Sequence, residues 1–335
     1  MTFELGAKDR KILAELDMGA RQPLSAIAKK VGLSREVVNY RIQQLEKNKV
    51  ILGYYAVLDT ARLGLIYCRM LFKYRKMPAE TQEKLFAFCA KHRNISWIIQ
   101  GEGKWDIVLV VLARSLSEIE STFDELNNLF GQYFQNPNVS LAYRVHELKH
   151  KYLYPRSQPA EFIVGKGITF AKLDASDYAI LEILSKNATA SLVDVAKATR
   201  LTPKVVSYKI KRLMDEGVIL GFRALINNKL LGYDHYKVFL TLQDFDDKNR
   251  LRVMEFLKYH PNVIYITRPM GPYTLEFEAM VRNAGELHEL MQEFKRQMGG
   301  LLVDYDTYFN YDVKSIVYLP ALLPSAQNTP AEARY

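Results

Sequence analysis

The stretch LSREVVNYRIQQLEKNKVILG, residues 33–53, recurs as LTPKVVSYKIKRLMDEGVILG at residues 201–221. The two segments align without a gap at an offset of 168 residues, and ten of their 21 positions are identical. Self-similarity of this kind is typical of a structural unit that occurs more than once. The chain of 335 residues is therefore predicted to contain two copies of one unit, with enough length for separate cores.

Helical periodicity precedes this stretch in both copies. Residues 7–18 and 24–31 predict two short helices, and Gly32 ends the second before Ser34 caps a third. In the second copy Thr202 takes the capping position, and Pro203 takes the first helical position, where proline is best tolerated. Two helices joined by a tight turn are typical of a helix-turn-helix, and a small αα-hairpin has the same local pattern.

Positive charge gathers around the repeated stretch. The chain has a formal net charge of +9 at pH 7. Residues 21–49 hold seven Lys or Arg against two Glu, and residues 189–217 hold six against three acidic residues. Basic residues on a repeated helix-turn-helix pattern favour double-stranded DNA as the partner.

The third helix has one apolar face, with Val38, Ile42 and Leu45 predicted to pack on the first two helices. Val37 and its repeat Val205 fit either face. The open face carries polar and basic residues that either contact DNA or form a solvated surface. The predicted DNA-binding residues are Ser34, Arg35, Glu36, Asn39, Tyr40, Arg41 and Gln43 in the first copy and Thr202, Lys204, Ser207, Tyr208, Lys209 and Lys211 in the second.

Beyond each helix-turn-helix, alternating strands and two amphipathic helices follow in the order βαββαβ. The predicted fold class is α+β, with two winged-helix-type DNA-binding modules that alternate with two ferredoxin-like βαββαβ domains. The predicted boundaries are 1–62 and 173–230 for the helix-turn-helix domains, 63–154 and 231–319 for the ferredoxin-like domains, 155–172 for a linker with a short strand at 161–164 as one option, and 320–335 for a flexible tail.

The remaining composition predicts a soluble cytoplasmic protein without a cofactor or a metal. No uncharged apolar run reaches eighteen residues, and the N-terminus lacks the apolar core of a signal peptide. Cys68 and Cys89 lie among apolar neighbours and are predicted to be buried, reduced thiols. The six histidines form no ligand cluster in the sequence.

Several motifs together resemble the Lrp/AsnC (leucine-responsive, feast/famine) family of transcriptional regulators, here as two fused copies in tandem. The matching elements of the first copy are Leu5, Asp9 and Ile12-Leu13; Ile27-Ala28 and Val31-Gly32-Leu33-Ser34; Arg41-Ile42, Leu45-Glu46, Val50-Ile51 and Gly53-Tyr54; and Gly103-Lys104-Trp105-Asp106. The resemblance implies winged-type modules on duplex DNA and regulation domains that dimerise through their sheets.

The resemblance also implies a small effector such as an amino acid, bound between regulation domains near the glycine-rich turn. Carried over, the effector-binding residues are Gly101, Gly103 and Asp106. A tight β-turn in which Asp106 only caps the bend is the structural alternative. The second copy departs from the pattern, because Thr274 stands where Asp is expected and its carboxylate is missing.

The predicted function is therefore sequence-specific binding of double-stranded DNA in transcription regulation. The fused copies predict an intramolecular pseudo-dimer, higher assembly through the regulation domains, and an imperfect palindrome as the target, since Glu36 and Lys204 differ. Two alternatives stay open. One is a sirohaem decarboxylase-like enzyme, although residues 94–103 and 262–271 lack the histidine of that signature. The other is sequence-tolerant, chromatin-like DNA coating.

Overall fold

The computed structural model describes residues 2–154, 158–166 and 170–319. In chain order the elements are α1 (Ala7–Gly19), α2 (Leu24–Val31), α3 (Arg35–Lys47), β1 (Ile51–Leu58), β2 (Ile66–Tyr74), α4 (Ala79–Lys91), β3 (Ile95–Gly103), β4 (Ile107–Ala113), α5 (Leu116–Phe130), β5 (Phe134–Leu148), β6 (Glu161–Val164), α6 (Ala175–Lys186), α7 (Leu192–Thr199), α8 (Pro203–Asp215), β7 (Ile219–Ile226), β8 (Asp234–Leu242), α9 (Asp247–Tyr259), β9 (Val263–Met270), β10 (Leu275–Val281), α10 (Ala284–Met298) and β11 (Leu302–Ile316).

The repeat extends over the whole described fold. From α1 to β5, every helix and strand recurs at the offset of 168 residues, and no end differs by more than one residue. β6 lies between the copies and has no described counterpart. The backbone therefore has a pseudo-twofold relation between its halves, and equivalent positions can be compared directly.

Helices α1–α3 form the first head and α6–α8 form the second head. Each head is a small helical core, and the strand that follows the opposite head completes it. Ala224 and Ile226 of β7 pack into the core of the first head, whereas Ala56 and Leu58 of β1 pack into the second. β1 and β7 pair antiparallel with each other, so the two heads share one two-stranded ribbon. This exchange fixes the heads to each other.

The eight long strands of the two βαββαβ units form one closed antiparallel barrel, in the order β2-β4-β3-β11-β8-β10-β9-β5 and back to β2. The sequence predicted two separate ferredoxin-like sheets, and this part of the prediction needs correction. β5 and β11 have 15 residues each, so one strand can pair with its own copy and then with the other. β5 pairs with β2 up to Leu141 and with β9 from there to Glu147.

Helices α4, α5, α9 and α10 cover the outside of the barrel. In β2, Cys68, Met70 and Phe72 point outward into the core under α4 and α5, whereas Arg69 and Leu71 alternate toward the inside. Cys68 and Cys89 are buried free thiols, as predicted.

The connection between the copies contains a real strand, since β6 pairs with residues 145–148 of β5. Residues 155–157 and 167–169 of the predicted linker, and the whole predicted tail 320–335, lie outside the described residues. Among the described residues, no helix is long and apolar enough to cross a membrane.

Candidate nucleic-acid interface

The turn between the last two helices of each head follows from local backbone chemistry. Gly32 adopts a left-handed φ of 65° and its N–H bonds to the Ala28 carbonyl, which ends α2. In the second head Arg200 takes the equivalent left-handed conformation, with φ of 56°. Both turns bring the next helix back across the head, which is the geometry of a helix-turn-helix.

Capping side chains start α3 and α8. The Ser34 hydroxyl accepts a hydrogen bond from the Val37 N–H at 3.3 Å, and the Thr202 hydroxyl accepts one from Val205 at the same distance. These contacts satisfy backbone donors that a helix start would otherwise leave free. Ser34 and Thr202, which the sequence predicts to bind DNA, therefore also cap their helices. Both are exposed beside the open helix face.

The open face of both helices carries an exposed apolar pair at equivalent positions. Tyr40 is 62% exposed and Tyr208 is 66% exposed, while Val37 and Val205 are also exposed. The sequence left the orientation of the two valines undecided, and the structure places both outward. Apolar side chains on a recognition helix can contact thymine methyl groups in the major groove. The same exposed apolar side chains occur in both copies, which indicates that this surface binds a partner.

The polar residues on this face differ between the heads. Arg35, Glu36, Asn39 and Gln43 are exposed in the first head, and Lys204, Ser207 and Lys211 are exposed in the second. Glu36 stays a carboxylate, because a backbone N–H and the Ser34 hydroxyl lower the pKa of its side chain. Lys204 occupies the same position in the second head, so the charge is reversed there.

Two of the predicted DNA-binding residues bind within their own head. Arg41 contacts Asp9 of α1 at 2.9 Å. At the equivalent position, Lys209 contacts Asp174 at 2.7 Å and Asp177 at 3.0 Å. These pairs hold the third helix against the first, so part of their charge is already neutralised.

Hydrogen bonds reinforce the fixed relation between the heads. Ala20 N–H donates to the Phe222 carbonyl at 2.9 Å, and Ala188 N–H donates to the Tyr54 carbonyl at 3.0 Å. These two bonds are equivalent under the 168-residue offset. The two heads are therefore held in one position relative to each other.

The glycines predicted to bind an effector lie at a joint between the copies. Gly101 and Gly103 end β3, where it pairs with β11. A Cβ atom on Gly101 would overlap the Phe309 carbonyl, and one on Gly103 would overlap the Thr307 carbonyl. Both glycines are thus explained by the close approach of two strands.

Asp106, the third predicted effector residue, is also occupied. Its carboxylate accepts hydrogen bonds at 2.7 Å from Lys73 Nζ and from the Tyr74 N–H. This arrangement fits the structural alternative, in which the aspartate holds the bend. The structure brings the three residues together, and effector binding by them stays a prediction.

Both heads are similar to known helix-turn-helix domains. Residues 5–46 match the AsnC-type helix-turn-helix domain, and residues 173–219 match a winged helix-turn-helix DNA-binding model. The chain is 34% identical over 128 residues to the proline dehydrogenase transcriptional activator of Rhodobacter capsulatus, covering 37% of this chain and 82% of that protein. The chain belongs to the Lrp/AsnC family. Transcription regulation and DNA binding by a helix-turn-helix come with that membership.

Two further relatives of this Lrp/AsnC chain are also regulators. The HTH-type transcriptional regulator FL11 of Pyrococcus furiosus is 29% identical over 119 residues, which cover 36% of this chain and 78% of that protein. The regulatory protein AsnC of Haemophilus influenzae is 24% identical over 119 residues, which cover 36% and 79%.

A solved structure matches the whole architecture. The crystal structure of the siroheme decarboxylase NirDL covers 95% of this chain and 96% of its own, with a TM-score of 0.63 at 14% identity. NirDL in complex with an iron-uroporphyrin III analogue gives a TM-score of 0.61 at 16% identity, over 92% and 93% of the two chains. At this identity the likeness shows a shared fold.

The interior charges of this Lrp/AsnC chain were missed by sequence reasoning. Arg69 and Lys237 point into the barrel and bind Glu276, and Lys237 also binds Glu278. The signal was present, because Glu276 and Glu278 alternate with apolar residues in LEFEAMV. Such alternation normally indicates a solvent-facing sheet surface, and only barrel closure places it inside.

Proposed function

We propose that this chain is a sequence-specific regulator that binds double-stranded DNA with both heads of one molecule. The observation that carries the proposal is the pair of exposed recognition faces, with Val37 and Tyr40 repeated as Val205 and Tyr208, on heads locked by one ribbon. In this proposal two fused Lrp/AsnC copies, each with a ferredoxin-like regulation unit, provide within one chain the pseudo-twofold of a dimer.

The two heads are proposed to contact different bases. Arg35 and Asn39 suit base edges in one half-site, because their planar groups can make paired hydrogen bonds. Lys204 and Lys211 suit phosphates in the other half-site, and Ser207 replaces Asn39 there. The proposed target is an imperfect palindrome whose half-sites differ where Glu36 and Lys204 differ.

Selection of DNA sites by the full chain, followed by footprinting, tests this proposal. We expect Arg35→Ala to cost about 1–3 kcal/mol of binding free energy and to relax specificity in one half-site. Lys204→Ala should weaken binding to all sequences. It should also reduce the slope of log affinity against log salt concentration by about one. Lys248→Ala, an exposed lysine on α9, is the matched control and should bind as the parent does.

Three outcomes would contradict the proposal. A perfectly symmetric selected site would remove the asymmetry between heads. A footprint unchanged by both Arg35→Ala and Lys204→Ala would remove the recognition faces. A steep salt dependence with a low ratio of specific to non-specific affinity would instead indicate sequence-tolerant coating of DNA.

A siroheme decarboxylase-like activity is the second candidate, favoured by the architecture shared with NirDL. Two observations favour the regulator over it. The stretches at 94–103 and 262–271 contain no histidine, and the cavity that Arg69 and Asn310 line inside the barrel is about 60 Å³, whereas ligand pockets typically hold 300 Å³ or more. Incubation with an iron tetrapyrrole is expected to leave its absorption spectrum unchanged, and a new haem-like band would favour the enzyme.

A further inference from the structure

The inside of the barrel contains a small cavity with two unsatisfied polar atoms. Its volume is about 60 Å³, and Arg69 and Asn310 both line it. Among the described residues, Arg69 Nε and Asn310 Oδ1 are buried and have no hydrogen-bond partner. Buried polar atoms in folded proteins almost always have a partner. A donor and an acceptor left free in one cavity therefore point to a bound molecule.

The walls of this cavity differ between the two copies. The first copy contributes Arg69 and Glu147 together with apolar side chains, among them Ile99, Val108 and Val110. The second copy contributes Thr267 and Glu278 at the positions equivalent to Ile99 and Val110. A bound molecule would thus meet alkyl groups of the first copy as well as hydrogen-bonding groups, which both copies supply.

The charged groups around the cavity already bind one another. Arg69 Nη2 donates to Glu276 Oε1 at 2.7 Å, and Lys237 lies 3.1 Å from Glu276 and 2.8 Å from Glu278. His235 also contacts Glu278, at 2.7 Å. A charged ligand would bring a desolvated charge without a free counter-charge, which is costly. The site therefore favours an uncharged molecule.

We propose that this cavity binds a small uncharged molecule of the short-chain primary amide class. Its carbonyl oxygen would accept from Arg69 Nε, its N–H would donate to Asn310 Oδ1, and its alkyl group would lie against Val108 and Val110. The cavity has room for about four waters at roughly 15 Å³ each, which matches a molecule with about five non-hydrogen atoms.

The cavity also lies next to a connection with the first head. Glu147 lines it and contacts Arg223 of the ribbon at 3.4 Å. Arg223 in turn binds Asp17 of α1. A ligand in the cavity would thus be two ion pairs away from the first head. The proposal that the cavity binds a ligand does not rest on the proposed function. Only the relevance of this connection to DNA binding rests on it.

Propionamide is the probe, and ligand-observed NMR with the full chain and no DNA is the measurement. We expect saturable, millimolar binding of propionamide and much weaker binding of propionate, which has the same skeleton and a charge. Asn310→Ala should weaken propionamide binding about tenfold, because it removes a buried acceptor. Val110→Phe should abolish binding, because the ring fills the cavity.

Asn128→Ala removes the same amide from the exposed surface of α5 and should bind as the parent does. No saturable binding of propionamide to the parent would overturn the proposal and leave water as the occupant. Equal binding of propionamide and propionate would also overturn it, even if a cavity variant failed to fold. Unchanged binding by folded Asn310→Ala and Val110→Phe variants would place the probe elsewhere and would overturn it too. DNA binding is not measured, so the proposed function is unaffected by any of these results.

Discussion

The two places where a head meets the barrel have one backbone geometry and two different chemistries. At the charged junction, Arg223 of β7 lies among Asp17, Glu147 and His150. At the aromatic junction, the equivalent position is Tyr55 of β1, which stacks on Tyr318. The position of Asp17 is taken there by a serine and that of His150 by Tyr318.

The Arg223 and Asp17 side chains at the charged junction are fully buried, and hydrogen bonds hold them. Arg223 Nε lies 3.1 Å from Asp17 Oδ1, and Arg223 Nη2 donates to the Leu148 carbonyl at 3.1 Å. Asp17 Oδ2 accepts from the His150 N–H at 2.7 Å. The Arg223 guanidinium helps to lower the pKa of the Asp17 carboxyl against the effect of burial, which raises it. Such a cluster is sensitive to the loss of any member, since the remaining ions stay desolvated.

The aromatic junction has stacked rings at the equivalent positions, and Tyr55 is the cross-strand neighbour of Arg223 in the ribbon. The Tyr55 and Tyr318 rings lie 4.1 Å apart with an interplanar angle of 7°, and Trp97 meets Tyr318 edge-on at 5.9 Å. Stacking of this kind tolerates the loss of a partner better, because no charge is exposed to an apolar interior. A pseudo-symmetric backbone thus does not require symmetric stabilisation.

Arg223→Met should have the largest effect, because it leaves the fully buried Asp17 carboxylate without its cation. We expect the free energy of unfolding to fall by about 3–5 kcal/mol, measured by urea denaturation near neutral pH.

The double variant Asp17→Ser, Arg223→Met introduces at position 17 the residue type found at the aromatic junction, and it removes both charges. We expect it to recover part of the lost stability, because the fully buried Asp17 carboxylate is removed together with its cation and only the partly exposed Glu147 loses a partner. Strictly additive losses from the two single substitutions would show that Asp17 and Arg223 are not energetically coupled.

Gly53 and Gly221 form a matched pair on the two ribbon strands. A Cβ atom on Gly221 would overlap the Phe162 ring of β6, whereas one on Gly53 would meet nothing within 4 Å. Gly221→Ala should therefore cost about 1–2 kcal/mol of unfolding free energy, as overpacking does. Gly53→Ala serves as the control and should change stability by less than about 0.5 kcal/mol. Equal effects of the two substitutions would mean that β6 does not pack against the ribbon in solution.

His150 should make the charged junction sensitive to acid. Burial lowers the pKa of His150 from 6.5 to about 3 in the folded chain, and Arg223 lowers it further against the effect of Asp17. The unfolded chain therefore takes up a proton below pH 6.5 that the folded chain excludes until about pH 3. Stability from this group is complete above pH 6.5 and is lost as the pH falls, by about 1.4 kcal/mol per pH unit.

His150→Asn should reduce the number of protons taken up on unfolding by about one between about pH 5 and 6.5. Urea denaturation at a series of pH values measures it. His260, whose pKa burial lowers to about 4, contributes a second proton that this variant keeps. His288→Asn, on the exposed surface of α10, controls for the substitution itself. An unchanged slope in His150→Asn would mean that the imidazole is not buried as the structure has it.

Sequence reasoning found the parts of this fold that depend on local chemistry. Ser34, Gly32 and Thr202 define the helix ends because capping and left-handed turns act within a few residues. The repeat at 168 residues was equally visible, because the same core positions recur along the chain.

Barrel closure was not visible, because the pairing of β5 with β9 joins residues more than a hundred positions apart and leaves no local pattern. Arg69 and Glu276 were consequently not singled out as interior charges in the sequence. The partners of Arg41 and Lys209 were equally hidden, because a basic residue on a helix has the same sequence pattern whether it binds DNA or a neighbouring helix.

Tyr318→Leu should have the smallest effect, and it sharpens the contrast between the junctions. The substitution keeps apolar bulk and removes stacking on Tyr55, so we expect a loss of about 0.5–1.5 kcal/mol of unfolding free energy. A double-mutant cycle with Tyr55→Leu measures the coupling. Burial raises the pKa of Tyr55 and that of Tyr318, so both rings stay neutral. The coupling should therefore be the same from about pH 5 to 8. A coupling between the tyrosines that changed with pH in this range would show that the aromatic junction is not independent of the charged one.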